Sequence, residues 1–241
     1  MKTNHFIDIN FDFRTDTREG GDPDALSPTL RLYHKILWSK PLPNGVLFNL
    51  SDKTSGVYLH HQSHIGEFRI TSDSVIPSFK KERRLSLVFE KIPAELEAFR
   101  TLGYTIGGMM VFPGNRINGR ATINGARGFH PKIKDRFDFT IECIRRYYSK
   151  DSSPLNEVFE RYSDYFRLFI DFRGYVEFFL LQDLVNSDFT KVNFFSQFED
   201  FRNPVPDSLA SYLDYRELAS NFIVARNQRI KEWTQTALIG A

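Results

Sequence analysis

Gly20-Gly21-Asp22-Pro23-Asp24 sets two carboxylates on a glycine-loosened backbone just ahead of a helix start at Ser27-Pro28. Backbone amides and the helix dipole favour an ionised carboxylate there. An ionised carboxylate can orient a water or support a developing positive charge. Asp16 lies a few residues upstream. Asp22 and Asp24 read equally well as turn-formers and caps. A second segment, 111–136, carries Arg116, Arg120, Arg127, Lys132, Lys134 and Arg136 against Asp135 alone. Its Asn115, Asn118 and Asn124 have the paired donors and acceptors that read base edges, and its arginines suit phosphates. The glycine spacing fits neither a Walker loop nor a dinucleotide fingerprint, and plain hairpin turns are the alternative. His130, beside Pro131, stands where this segment re-enters the fold. The two segments are candidate partners across one pocket.

Three histidines, His60, His61 and His64, lie near Glu67. On one continuous strand over 57–70, His60 and His64 share a face while His61 and Glu67 share the other. That argues against a tight metal site and leaves His64 as a candidate acting on substrate. The single cysteine, Cys143, excludes an internal disulfide and a cysteine zinc site. It falls in a helical pattern and reads as a buried small hydrophobe. Trp38-Ser39-Lys40-Pro41-Leu42-Pro43-Asn44-Gly45 is an unusual mixture. Asn44 either supplies the Asn-Gly turn or faces the pocket of Asp22.

These residues need elements to hold them. The run Phe6–Phe13 reads as a strand, followed by a loop over 14–26. Ser27 caps a helix with Leu30, Tyr33 and Leu37 inward, ended by Pro41 and Asn44-Gly45. Short β-type runs follow at 46–48, 57–59 and 66–70, separated by Ser-Asp, Ser-Gly and Thr-Ser-Asp turns. Leu85–Phe89 reads as a further strand. A helix starts at Pro93 and stops at Gly103, and Tyr104–Phe112 reads as a buried strand. The Asn and Gly residues of 113–131 imply a hairpin or exposed loop. Helical patterns then run through 137–148, from Ser153-Pro154 to Phe169, over Tyr175–Val185 and from Asp207 to Trp233. The expected fold is α+β over residues 1–241 as one domain. A mixed or antiparallel sheet in the N-terminal half packs against a helical C-terminal half. Aromatic residues make 15% of the chain, including 24 Phe, and the ordinary use of so many rings is the core. No signal peptide or apolar run of membrane-spanning length is visible, which points to a cytoplasmic protein with no membrane role. Net charge is only +2. The basic 111–136 segment is balanced by 157–201, where nine carboxylates face four bases, so a basic face is compatible with near-neutrality.

The runs Leu37–Gly45 and Asp135–Tyr148 resemble a widespread uncharacterised prokaryotic family over nearly the whole chain. The chain also resembles the phage-defence DNA glycosylases that excise glucosylated hydroxymethylcytosine. Gly21-Asp22-Pro23 is similar to the water-activating Gly-x-Asp-Pro element of uracil-DNA glycosylases, with Asp24 where that family carries an aromatic. This resemblance implies hydrolysis of an N-glycosidic bond in DNA, including modified phage DNA, without metal or cofactor. It implies Asp22 or Asp24 as the carboxylate. Asn44, Asn115 or His64 would face the base, with Arg116, Arg120, Arg127 and Lys132 on the backbone. Two other readings stay open. One is a non-catalytic nucleic-acid-binding or regulatory protein. The other is an enzyme acting on a nucleotide or sugar phosphate.

Overall fold

A computed structural model of the chain describes residues 6–52, 58–77, 79 and 82–239. The expected strand over Phe6–Phe13 is a series of turns. Asp8 Oδ1 accepts from the Asn10 amide and Asp12 Oδ1 from the Arg14 amide. These local bonds satisfy backbone donors that a strand would have paired with a neighbour. The following segment closes in a short helix, α1 (Pro23–Leu26), with Asp22 at its N-cap. Ser27 then caps α2 (Pro28–Trp38), its hydroxyl accepting from the Leu30 amide at 3.1 Å. Asp16 reinforces this start by accepting from the Ser27 hydroxyl and the Thr29 amide. Leu30, Tyr33 and Leu37 are buried, as their helical spacing predicts. Strands β1 (Lys40–Pro41) and β2 (Leu47–Phe48) pair around Asn44-Gly45, where Gly45 adopts a φ of +82°.

The main sheet has three antiparallel strands, β3 (Leu59–Ser63), β4 (Gly66–Ser74) and β5 (Met109–Pro113), with β4 in the middle. Val57 and the expected Ser55-Gly56 turn lie outside the described residues. Between β4 and β5 come α3 (Arg83–Phe89) and α4 (Pro93–Gly103). The expected strand over Leu85–Phe89 is therefore helical. Leu85 and Val88 are buried while Leu87 is exposed, a spacing of three where a strand would bury alternate residues. β5 starts at Met109, later than expected, because Ile106–Gly108 form a 3-10 turn. Gly107 in that turn has no room for a side chain: a Cβ would lie 2.5 Å from the Ile223 carbonyl oxygen.

The expected hairpin over 113–131 is corrected in part. Residues 114–121 form an exposed connection, but Ile123–Phe129 is a helix, α5, capped by the Thr122 hydroxyl on the Gly125 amide. Asn124-Gly125 thus sits in a helical first turn. The C-terminal half holds α6 (Phe137–Ser149), α7 (Asn156–Arg161), α8 (Ser163–Arg167), α9 (Phe172–Phe178) and α10 (Leu209–Ile239). The helix expected through Phe169 is broken at Tyr162, and the one expected through Val185 stops at Phe178. Leu180, in the left-handed region at φ +55°, turns the chain there. The fold is α+β, with its sheets in the N-terminal half and helices throughout the C-terminal half.

The buried side chains of both halves form one cluster rich in rings. Phe169, Tyr175, Phe178 and Phe179 contact one another at centroid distances of 4.9–5.2 Å, and Trp38 joins them through Phe179. Arg226 of α10 is fully buried and donates to the carbonyls of Gly107, Met109 and Phe179. It ties the long helix to the edge of the sheet. Cys143 is buried on α6, where loss of solvent pushes its thiol up to about 12. Among the described residues no helix is long and apolar enough to cross a membrane.

Candidate active site

The second half of β4 reads Thr71-Ser72-Asp73-Ser74, a composition expected for a turn, yet it continues the central strand as far as Ser74. Polar groups in a central strand must find partners. The Trp38 indole N–H donates to His34 Nδ1 at 3.0 Å. His34 therefore carries its proton on Nε2 and donates to the Ser72 hydroxyl at 2.9 Å. Ser72 in turn reaches the Met110 carbonyl. Burial and Arg226 hold His34 down to about 3, so it stays neutral and acts as a fixed link.

Asp73 is satisfied from α5. Arg127 and Asn124, one helical turn apart, both reach β4. Asn124 Nδ2 donates to Thr71 Oγ1 and to the Ser72 carbonyl. Arg127 Nη1 contacts Asp73 Oδ2 at 2.5 Å and Asp135 Oδ1 at 3.2 Å. Its Nη2 donates to the Asp135 carbonyl and its Nε to the Thr140 hydroxyl. Lys134 and Asp135 hold the carboxylate in place through two consecutive left-handed residues, φ +51° and +64°. Burial opposes the charge on Arg127, but Asp135 and Asp73 outweigh it and raise the guanidinium further.

The third acid comes from α1, which packs against β4. Asp24 Oδ1 is shielded from solvent and accepts no hydrogen bond. Burial, then Asp73, Asp22 and Asp135, push its carboxyl well above the ordinary carboxylate range, against the pull of Arg127. Asp73 is raised by burial and by Asp135, and Asp135 by burial, with Arg127 opposing both. One buried guanidinium faces three carboxylates, so a proton relieves the excess negative charge, and Asp24 is the acid without a partner to stabilise its anion. The helix dipole expected to hold Asp24 ionised is thus opposed by burial and by like charge. α1 is a single turn.

Tyr58 and Tyr104 complete the surroundings. The Tyr58 hydroxyl is buried without a partner, and the Arg31 guanidinium lies 4.9 Å from the ring centroid. Burial raises Tyr58, with Arg31 opposing and Asp24 adding to the rise. Burial, Asp24 and Asp22 push Tyr104 up to about 12. Tyr104 and Ser74, the neighbour of Asp73, line a cleft of about 310 Å³ whose walls also hold Arg14 and Arg100. A carboxylic acid whose affinity for its proton is raised, near carboxylates anchored on an arginine, is the kind of equipment that general acid catalysis uses. Among the described residues no group of His, Cys, Asp and Glu has the arrangement to hold a metal ion.

The two segments picked out in the sequence interact through space, Asp24 on one side feeling the charges of Arg127 and Asp135 on the other. Other candidates lie elsewhere. Asp22 is exposed and caps α1, accepting from the Asp24 amide. Asn44 accepts from the Val46 amide in its turn. It follows the C-terminal end of α2 while Asp24 precedes the N-terminal end, roughly 16 Å away by helical rise. It does not face the Asp22 pocket. His64 is exposed in the β3–β4 turn, more than about 20 Å along β4 from Asp73. That turn also reverses the expected pairing of faces: His60, not His61, meets Glu67, with Nε2 2.9 Å from Oε1. His61 instead stacks on Phe48.

Asn115 is structural, its Oδ1 accepting from the Arg69 amide and its carbonyl from the Tyr162 hydroxyl. Arg116, Asn118 and Arg120 are exposed in the 114–121 connection, and Lys132 is exposed beyond α5. His130 ends α5, with Nδ1 accepting from the Lys132 amide; burial and Lys132 lower it. Arg127 is not presented to a phosphate, because its guanidinium is enclosed by Asp73, Asp135 and Thr140. Arg136 is likewise buried against Asp138. The acids Asp73 and Asp135 were not singled out by sequence reasoning. The available signal was a run of four polar residues continuing a strand that begins with Phe68 and Ile70.

The chain belongs to a family of unknown function, described as Family of unknown function (DUF6994), whose model matches residues 7–230. No curated protein and no solved structure matches it.

Proposed function

We propose that the protein is a hydrolase of N-glycosidic bonds acting on nucleic acid, a cytoplasmic DNA glycosylase that removes a modified base from phage DNA. The observation that carries this reading is the Asp24 carboxyl, whose Oδ1 is shielded from solvent without a hydrogen-bond partner and which feels the charges of Asp73 and Asp135. Breaking an N-glycosidic bond requires a proton for the departing base and negative charge near the oxocarbenium-like sugar. Asp24 supplies the proton. Asp73 and Asp135, kept anionic in part by Arg127, supply the charge, and a water attacks the anomeric carbon. The Tyr58 hydroxyl and Asn124 Oδ1, both buried without partners, are available to the base or sugar. Exposed Arg116, Arg120 and Lys132 are the cations left for a phosphate backbone.

A second reading, a free nucleotide as substrate, is favoured by the burial of Arg127 and Arg136, which removes two cations from the surface. One assay separates the two. Purified protein is incubated with duplex DNA carrying glucosylated hydroxymethylcytosine, with unmodified duplex, and with mononucleotides. Alkali-labile sites and released bases are measured. Abasic sites in modified DNA only, lost in Asp24→Asn, support the glycosylase. Base release from nucleotides alone supports the second reading. No release from any of them, with Asp24→Asn folded and equally inert, overturns both.

A further inference from the structure

The Trp38–Gly45 run, set apart by its composition, supplies a second site at the far end of α2. Lys40 of β1 holds its Nζ among three rings: 4.7 Å from the centroid of Trp233, 4.8 Å from Phe178 and 5.1 Å from Trp38. It lines a pocket of about 340 Å³ together with Pro41, Pro43, Glu177, Phe178 and Trp233. No carboxylate within ion-pair distance and no hydrogen-bond acceptor meets the Lys40 amine among the described residues. We propose that Lys40 is a covalent binding site for planar aromatic aldehydes, which its amine captures as a Schiff base between the Trp233 and Phe178 rings.

Glu177 from α9 lines this pocket and lies 4.0 Å from Arg173, while the fully buried Arg226 from α10 stands 5.9 Å from the Trp38 ring centroid. Ring faces favour the ammonium form. Burial and Arg226 work against it and hold Lys40 at about 7, which leaves a large neutral fraction in neutral solution. A lysine desolvated in an apolar pocket near a second cation is an activated nucleophile. The amine nitrogen attacks the carbonyl carbon to give a carbinolamine. Loss of hydroxide, protonated as it leaves, gives the imine and one water, with no change in oxidation state. That proton comes from solvent or from Glu177, which lines the same pocket. The aromatic walls select a flat partner over an aliphatic one.

The test is reductive trapping with benzaldehyde and sodium cyanoborohydride, read by peptide mapping across a pH series. Lys40 should be benzylated at least about tenfold faster than the other lysines at neutral pH, with a rate midpoint near 7. Propanal should lose that preference. Trp233→Leu, which removes one of the three rings around the amine, should reduce the preference for benzaldehyde over propanal, and Lys40→Arg should abolish the fast adduct. Equal labelling of all lysines, or a Lys40 midpoint in the ordinary lysine range, would overturn the site. Equal preference for propanal and benzaldehyde would overturn its aromatic selectivity. Both readouts use the parent protein, so the proposal does not depend on either variant folding.

Discussion

At the scale of single residues, the site is defined by an imbalance of charge. Arg127 is enclosed by Asp73 and Asp135, and Asp24 lies within their field without a cation of its own. Removing the guanidinium alone leaves two largely buried carboxylates unpaired. Arg127→Met should therefore destabilise the fold by about 3–5 kcal/mol in chemical denaturation. Adding Asp73→Asn and Asp135→Asn should recover much of that loss. If the single variant costs no more than the triple one, the ion cluster is not what Arg127 supports.

The pH dependence follows from the direction of the shifts. All three acids are raised in the native state. A group with a raised native value binds its proton more tightly folded than unfolded. Its effect on stability is absent below the ordinary carboxylate range and becomes an increasing penalty as pH rises toward the native value. Asp24→Asn removes one of these penalties. Its melting temperature should fall less than the parent's between about pH 4 and pH 8, and should exceed the parent's at the upper end. Parallel melting curves would show that Asp24 is solvated like a surface acid.

At the scale of elements, two joints hold the site. The first is the start of α2, where Ser27 caps the helix and Asp16 supports both Ser27 and Thr29. Loss of a cap of this kind costs about 1–2 kcal/mol, so Ser27→Ala should lower stability by that amount. It should also loosen the adjoining α1 and hence Asp24, which faster amide exchange at residues 23–30 would reveal; unchanged exchange would separate α1 from the cap. The second joint is Arg226, whose guanidinium meets three backbone carbonyls, two from the sheet side and one from Phe179 just past α9. Arg226→Met strips these acceptors of their donor inside the core and should cost about 3 kcal/mol. A stability change below about 1 kcal/mol would mean that the carbonyls find other donors.

At the scale of the whole molecule, buried residues from both halves form one cluster, and α10 packs on α4 and the 3-10 turn before β5. Calorimetry should show one transition, with calorimetric and van't Hoff enthalpies in agreement. Two separable transitions would divide the chain into independent units. Much of this architecture was legible beforehand. Ser27-Pro28, Pro93 with Gly103, Asn44-Gly45 and the apolar periodicity of 137–148 are local signals, and local chemistry settles local structure. Several segments defied them, and three show why. Phe6–Phe13 is apolar enough for a strand, but its Asp side chains bond the neighbouring backbone. Thr71–Ser74 has turn composition, but His34, Asn124 and Arg127 arrive from distant elements to satisfy it inside the sheet. Residues 123–129 have hairpin composition, but they form a helix that aims Asn124 and Arg127 at β4. The candidate site inherits the same division. Asp24 and Arg127 were visible as chemistry from residue type and spacing. That Asp24 is pushed toward its protonated form, and that Arg127 is an internal counter-ion rather than a surface clamp, depends on burial and on charges distant in sequence. Solvent exclusion and through-space charge arise only when the chain is packed, so tertiary structure alone assigned those roles.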